Sequence, residues 1–135
     1  MTDHRQTERP HGPEVVLFCG SRDCTEASHG QMIRGDIFGL TRGSIVLHGG
    51  ARGADMLADF WGRRQAYERE LHVVRVDALW KSYGNSAGPR RNRAMLMLRP
   101  TFAFAYPTGG PGTADMLELL REHGIDHIVR EPAHA

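Results

Sequence analysis

Ser44-Ile45-Val46-Leu47-His48-Gly49-Gly50-Ala51-Arg52-Gly53-Ala54-Asp55 decides how this chain folds. Ser44 to His48 is a short β-rich run bounded by turn residues, as expected of a buried strand. Gly49-Gly50 turns the chain. From Gly53 to about Arg69 the residues Ala54, Leu57, Ala58 and Trp61 recur at i, i+3, i+4, i+7, which predicts a helix with one buried face.

The same strand–turn–helix unit repeats on either side. Val15 to Cys19 is a continuous apolar run. Gly20 follows it, and Thr25 is placed to cap a helix whose Ile33, Ile37 and Leu40 form a stripe. Leu71 to Val76 reads as a third strand, and Asp77 to Ser86, without a period, as a loop. Pro89 suits the first turn of a helix that Pro100 closes after Arg99. Thr101 to Tyr106 is a fourth strand, Thr113 to His123 a helix stopped by Gly124, and Ile125 to Val129 a fifth strand. Such alternation requires parallel strands with right-handed crossovers: an α/β, Rossmann-like parallel sheet of about five strands with helices on both faces. Residues 1–13 read as a flexible arm, 14–130 as the domain and 131–135 as a tail.

At 135 residues the chain is long enough for one core without disulfides or metal. Cys19 and Cys24 lack zinc-ligand spacing, and the eight histidines show no helical pair, so neither a metal nor a cofactor is expected. No apolar run approaches the ~20 residues of a membrane helix, and no signal segment opens the chain, which together point to the cytoplasm. A formal net charge of +1 gives no whole-protein field for DNA or membranes. Lys81 is the only lysine, an arginine preference best explained by base composition of the genome.

Four segments at the predicted carboxyl ends of strands carry the chemistry: Gly20-Ser21-Arg22, His48 to Asp55, Gly88 to Met95, and Gly109-Gly110-Pro111-Gly112-Thr113. Glycine turns expose backbone N–H groups at helix starts, and arginines beside them suit a phosphate. Arg90, Arg91 and Arg93 near a helix start oppose a macrodipole that already presents about +0.5 charge there, which favours an anion in use. Asp55 fits either a helix-start role or a contact to ribose. Thr113 fits either a cap or a phosphate contact. Trp80 and Tyr83 suit base stacking, core packing or a partner interface equally. No Gly-Lys-Ser/Thr follows the glycines, so triphosphate hydrolysis is unsupported.

In this ordered set the chain resembles the SLOG superfamily (Smf/DprA and LOG proteins), most closely its small YspA/YpsA-related branch. The matching residues are Gly20-Ser21-Arg22, His48-Gly49-Gly50-Ala51 with Gly53-Ala54-Asp55, Trp80 with Gly84, Ala87-Gly88-Pro89 with Arg91-Asn92, and Gly109-Gly110 with Gly112-Thr113. The resemblance implies a Rossmann-like fold and a nucleotide-type ligand. It is also similar, more distantly, to the LOG phosphoribohydrolases, whose catalytic arginine falls at Arg91. Thr108 replaces that family's motif proline, and Met116 its catalytic glutamate.

The expected function is therefore capture of a nucleotide or nucleotide-derived molecule, ADP-ribose-like in kind. Gly20, Ser21, Arg22, Gly49, Gly50, Gly53, Asp55, Trp80, Arg91, Asn92, Gly109, Gly110, Gly112 and Thr113 are the candidate binding residues. The enzymatic alternative, N-ribosidic hydrolysis of a nucleoside 5′-monophosphate, would use Arg91 with Asp55 or Asp77, because a carboxylate must stabilise the developing positive charge. Single-strand DNA binding, as in DprA relatives, is the third reading, and the small net charge argues against it. Apolar helix surface left over after covering the sheet predicts a homodimer or higher homo-oligomer.

Overall fold

A computed structural model describes residues 12–131, so all but the last two residues of the expected arm, and all but Glu131 of the tail, lie outside the described residues. Five parallel strands form one sheet: β1 (Val15–Gly20), β2 (Ile45–His48), β3 (His72–Arg75), β4 (Phe102–Tyr106) and β5 (His127–Val129), in the order β3-β2-β1-β4-β5. Among the described residues five helices connect or flank them: α1 (Gln31–Phe38), α2 (Ala54–Arg69), α3 (Trp80–Tyr83), α4 (Ala87–Leu96) and α5 (Pro111–Glu122). The expected α/β class and parallel sheet are what the chain adopts.

Strand alternation splits the core in two. Val16 and Phe18 of β1 pack with Ile33, Ile37, Ala54 and Ala58 on the α1/α2 face. Leu17 and Cys19 pack with Met95, Leu96, Met116 and Leu120 on the α4/α5 face. The chain therefore winds outward through β2 and β3, then returns past β1 to β4. The order reverses between β1 and β4, the crevice where such sheets ordinarily take ligands.

That crevice is stapled shut by the protein itself. The Ser21 amide donates to the Tyr106 carbonyl at 3.1 Å. The Thr108 amide donates to Ser21 Oγ at 2.7 Å, and Thr108 Oγ1 donates to Asp23. Behind it the Tyr106 hydroxyl donates to Asp36 at 2.8 Å, and Arg130 grips the same carboxylate through Nε and Nη2. Burial, then the neighbouring Asp36, drives the Tyr106 hydroxyl well above its ordinary pKa, so it serves as a permanent donor.

Three expectations need correction. Asp77 to Ser86 is not a plain loop: it holds α3 and a 3₁₀ turn, Gly84–Ser86. A π-turn, Glu26–Gly30, precedes α1; Thr25 caps that turn, its side chain accepting from the Ser28 amide at 3.1 Å. Helix α4 begins at Ala87 and ends at Leu96, two residues before and three residues short of the expected bounds. Pro89 is tolerated as its third residue because the first N–H groups of a helix have no intrahelical acceptor anyway. Arg90 and Arg91 consequently sit in the second turn and Arg93 in the last, where a cation suits the dipole. The macrodipole argument for an anion at this helix start therefore falls.

Candidate functional site

Beyond the carboxyl ends of β1, β2 and β3 lies a cavity of about 340 Å³, lined by Arg22, Gly49, Gly50, Ala51, Arg75, Asp77, Ala78, Trp80 and Arg91. Three guanidinium groups face one carboxylate, so its field favours an anion. Each wall comes from a different connection, which explains why no single motif in the sequence spells the site.

The floor is the turn after β2. Asp55, in the first turn of α2, bends its carboxylate back to accept the Gly49 amide at 3.0 Å and the Ala51 amide at 3.3 Å. The Gly50 amide donates to His48 Nδ1 at 3.0 Å, which places that ring's proton on Nε2, 2.7 Å from Asp59 Oδ2. The Ala54 amide donates to the Ser21 carbonyl at 3.2 Å. These amides are already committed within the protein. The sequence-based picture of bare N–H groups awaiting phosphate does not describe this turn.

The glycines answer to protein packing as well. A Cβ on Gly20 would stand 2.5 Å from Ala54 Cβ, and one on Gly49 2.6 Å from Arg91 Nη1. Gly53 has φ +86°, and a Cβ there would lie 2.3 Å from the Ser21 carbonyl oxygen. No other residue fits where α2 leaves the β1 loop.

The functional groups left facing the cavity are side chains. Arg91 reaches from α4, its Nη1 donating to the Gly49 carbonyl at 2.5 Å and its Nε to Asn92 Oδ1 at 2.9 Å. Burial lowers its pKa, Asp55 raises it, and Arg22 lowers it again, leaving it below the ordinary arginine value. Arg22 lays its guanidinium over the Trp80 ring, 5.6 Å from the centroid. Arg75 Nε donates to Asp77 Oδ1 at 2.5 Å, and this pairing holds the Arg75 pKa above its ordinary value. Burial lifts the Asp55 carboxyl above its ordinary range, against the lowering influence of the neighbouring His48 ring, of Arg91 and of the two loop amides.

Arg22, Gly49, Gly50, Trp80, Arg91 and Asp77 thus meet around one cavity. The remaining candidates do not line it. Gly20, Ser21 and Gly53 pack the β1 loop against α2. Asp55 lies beneath the floor. Asn92 is buried and bridges to Asp115 of α5 at 2.9 Å, bracing Arg91 from behind. Gly109 and Gly110 form the turn into α5 on the far side of the stapled crevice, with Gly110 as its N-cap and Gly112 as the second residue of the helix. Thr113 is the third residue of α5 and is buried, so it is not the cap, and Met116 is in the core. Tyr83 stands outside under Arg90, 4.2 Å from its ring centroid. Sequence reasoning missed Arg75. Its signal was a charged residue closing an apolar strand at the carboxyl end, where it is the register partner of His48.

Among the described residues, no group of three or more His, Cys, Asp or Glu is arranged to hold a metal ion. No described helix is long and apolar enough to cross a membrane. Cys19 and Cys24 are free and buried, and burial raises both thiol pKa values.

No protein-family model matches the chain. Its fold is shared with DNA processing protein A (DprA) from Streptococcus pneumoniae, with a TM-score of 0.68 at 18% identity over 87% of this chain. The match spans 50% of that protein's length, and at this identity it shows a shared fold. In sequence, 90 residues are 38% identical to the Gene 61 protein of Mycobacterium phage D29, a match covering 64% of this chain and 70% of that protein. The chain belongs to the family of that phage protein.

Proposed function

We propose that the cavity captures a nucleotide or nucleotide-derived molecule, ADP-ribose-like in kind, by holding its phosphate between Arg22 and Arg91. The observation that carries this reading is the convergence of two like charges from separate elements on one cavity. Arg91 is partly buried and feels the repulsion of Arg22. Bringing two guanidinium groups together costs free energy that an anion placed between them would recover. A volume of about 340 Å³ is at the lower end of small-molecule sites. Guanidinium groups rather than backbone amides are the phosphate ligands in this scheme. Membership in the YspA/YpsA-related branch, a cytoplasmic setting and self-association accord with it.

Hydrolysis of an N-ribosidic bond is the second reading, and Asp77 is the carboxylate it would draw on. Met116 lies in the core, and Asp55 is engaged by two loop amides. Asp77 is the carboxylate that lines the cavity, so a hydrolase would rest on Arg91 with Asp77. Single-strand DNA binding is a third reading, motivated by the fold shared with a DNA processing protein.

The test is to incubate the protein with nucleoside monophosphates, NAD and ADP-ribose, recording melting temperature and free base together. Stabilisation without base release is expected, weakened about 10- to 100-fold in affinity by Arg91→Ala and by Arg22→Ala. Base release abolished by Asp77→Asn would establish the enzyme instead. A strongly salt-dependent shift with an oligonucleotide alone would establish the nucleic-acid reading. No response to any anion would sink all three.

A further inference from the structure

Trp80 is the aromatic residue lining the cavity, and the obvious use for it is to stack on a base. Its surroundings assign it another. One edge of the indole is set against α4: a Cβ on Gly88 would stand 3.3 Å from Trp80 Cη2, so the glycine makes room for the ring. The Arg22 guanidinium lies 5.6 Å from the ring centroid. Among the described residues Arg22 has no hydrogen bond or ion pair, so this contact is what orients it. Arg22 sits on the loop after β1, whereas Trp80 opens α3 and Gly88 is in α4.

Resting on the phosphate-capture reading above, we propose that Trp80 is a positioning residue for the anion. It is a pillar, seated on the α4 backbone, that holds the Arg22 guanidinium at the cavity against the repulsion of Arg91. The ligand's phosphate then meets a pre-oriented pair of arginines, and the indole contributes through Arg22 rather than through contact with a base. An exposed arginine left without this support would lose its orientation to side-chain entropy and move away from Arg91. Gly88 belongs to the same device, since a larger residue there would displace the ring.

A ligand without a base separates the two roles of Trp80. Binding of inorganic pyrophosphate and of ADP-ribose is measured calorimetrically for wild type, Trp80→Ala, Trp80→Phe, Arg22→Ala and the Trp80→Ala/Arg22→Ala double variant, each checked for folding by its melting temperature. Trp80→Ala is expected to weaken both ligands by the same factor, about three- to tenfold. Trp80→Phe should retain part of the affinity, and Trp80→Ala should add little in the Arg22→Ala background, because the indole acts through the arginine.

Ligand-free protein offers a second readout. The chain has two tryptophans, so a Trp61→Phe background leaves Trp80 as the sole indole. Arg22→Ala should there increase quenching of Trp80 by acrylamide. Loss of ADP-ribose affinity with pyrophosphate unaffected would make Trp80 a base platform and overturn the proposal, as would full additivity of the two substitutions or unchanged quenching. Wild-type binding with no effect of Trp80→Ala removes the pillar alone. Failure of the wild type to bind either anion removes the pillar and the capture reading together.

Discussion

Asp55 shows how much one side chain can do without touching a ligand. Its carboxylate closes the turn after β2 by accepting two amides, although burial works against its charge. Asp55→Ala strands those amides and should lower stability by about 1–3 kcal/mol. Asp55→Asn keeps an acceptor oxygen and removes the buried charge, so its loss should be smaller, by the shift in urea midpoint at constant slope. Asp59 behaves oppositely. Burial pushes its pKa up, but hydrogen bonds from Arg63 and His48 more than offset that and leave it lowered. In the unfolded chain the group titrates near pH ~3.9. The fold therefore holds this proton less tightly, and the stability from the cluster is whole above that pH and lost as pH falls through the lower folded value. Asp59→Asn should flatten the acid limb of the stability–pH profile, measured by denaturation from pH 7 to pH 3. Single residues were also where the sequence misled. A glycine announces that a Cβ is unwelcome, and nothing in the letter says whether protein or ligand fills the space. Gly20, Gly49 and Gly53 were legible as tight turns, and their occupants proved to be Ala54, Arg91 and Ser21.

At the scale of elements, strands were the most legible because their composition and period are local. Every expected strand exists: β1 gains Gly20, β2 and β4 each lose their first residue, and β3 and β5 are shortened further. Helix boundaries were less so. Pro89 marks the start of a helix only to within its first turn, and that offset carried Arg90 and Arg91 out of the macrodipole's reach. The buried face of α2 was also read too simply: Asp55, Asp59 and Gly62 lie within it, because polar partners on β2 and its turn make room for acids there. Helix α2 ends at Arg69, and its C-cap Glu70 adopts a left-handed conformation with φ +55°. That conformation is strained for a residue with a Cβ, so Glu70→Gly should stabilise the protein by about 0.5–1 kcal/mol in chemical denaturation. Its ion pair with Arg42 is long, at 4.0 Å and exposed, and its loss should subtract little.

Over the whole molecule, alternation of strands and helices was sufficient to predict the sheet, because parallel pairing with covered faces leaves few other arrangements. Position of the cavity was not. The sheet reverses between β1 and β4, yet Ser21 and Thr108 close that crevice, and the opening lies toward β2 and β3. Only the folded chain reveals which strand-end loops are spent on each other. With a net charge of +1, steering comes from the local arginines alone. Pyrophosphate affinity should therefore weaken only several-fold between 50 and 500 mM salt, in titrations at constant pH, far less than the ~10³-fold or greater loss of a protein neutralising many DNA phosphates over a narrower range.

Parallel strands also sort the connections by end. The turns at Gly43, Glu70, Arg99 and Gly124 lead into the amino ends of β2 to β5, across the whole length of the sheet from the arginines. A Cβ at Gly124 would meet nothing within 4 Å. Affinity tags, dyes or randomised peptides spliced there would sit a sheet's height from the pocket, making that rim the natural place to immobilise the protein as a biosensor.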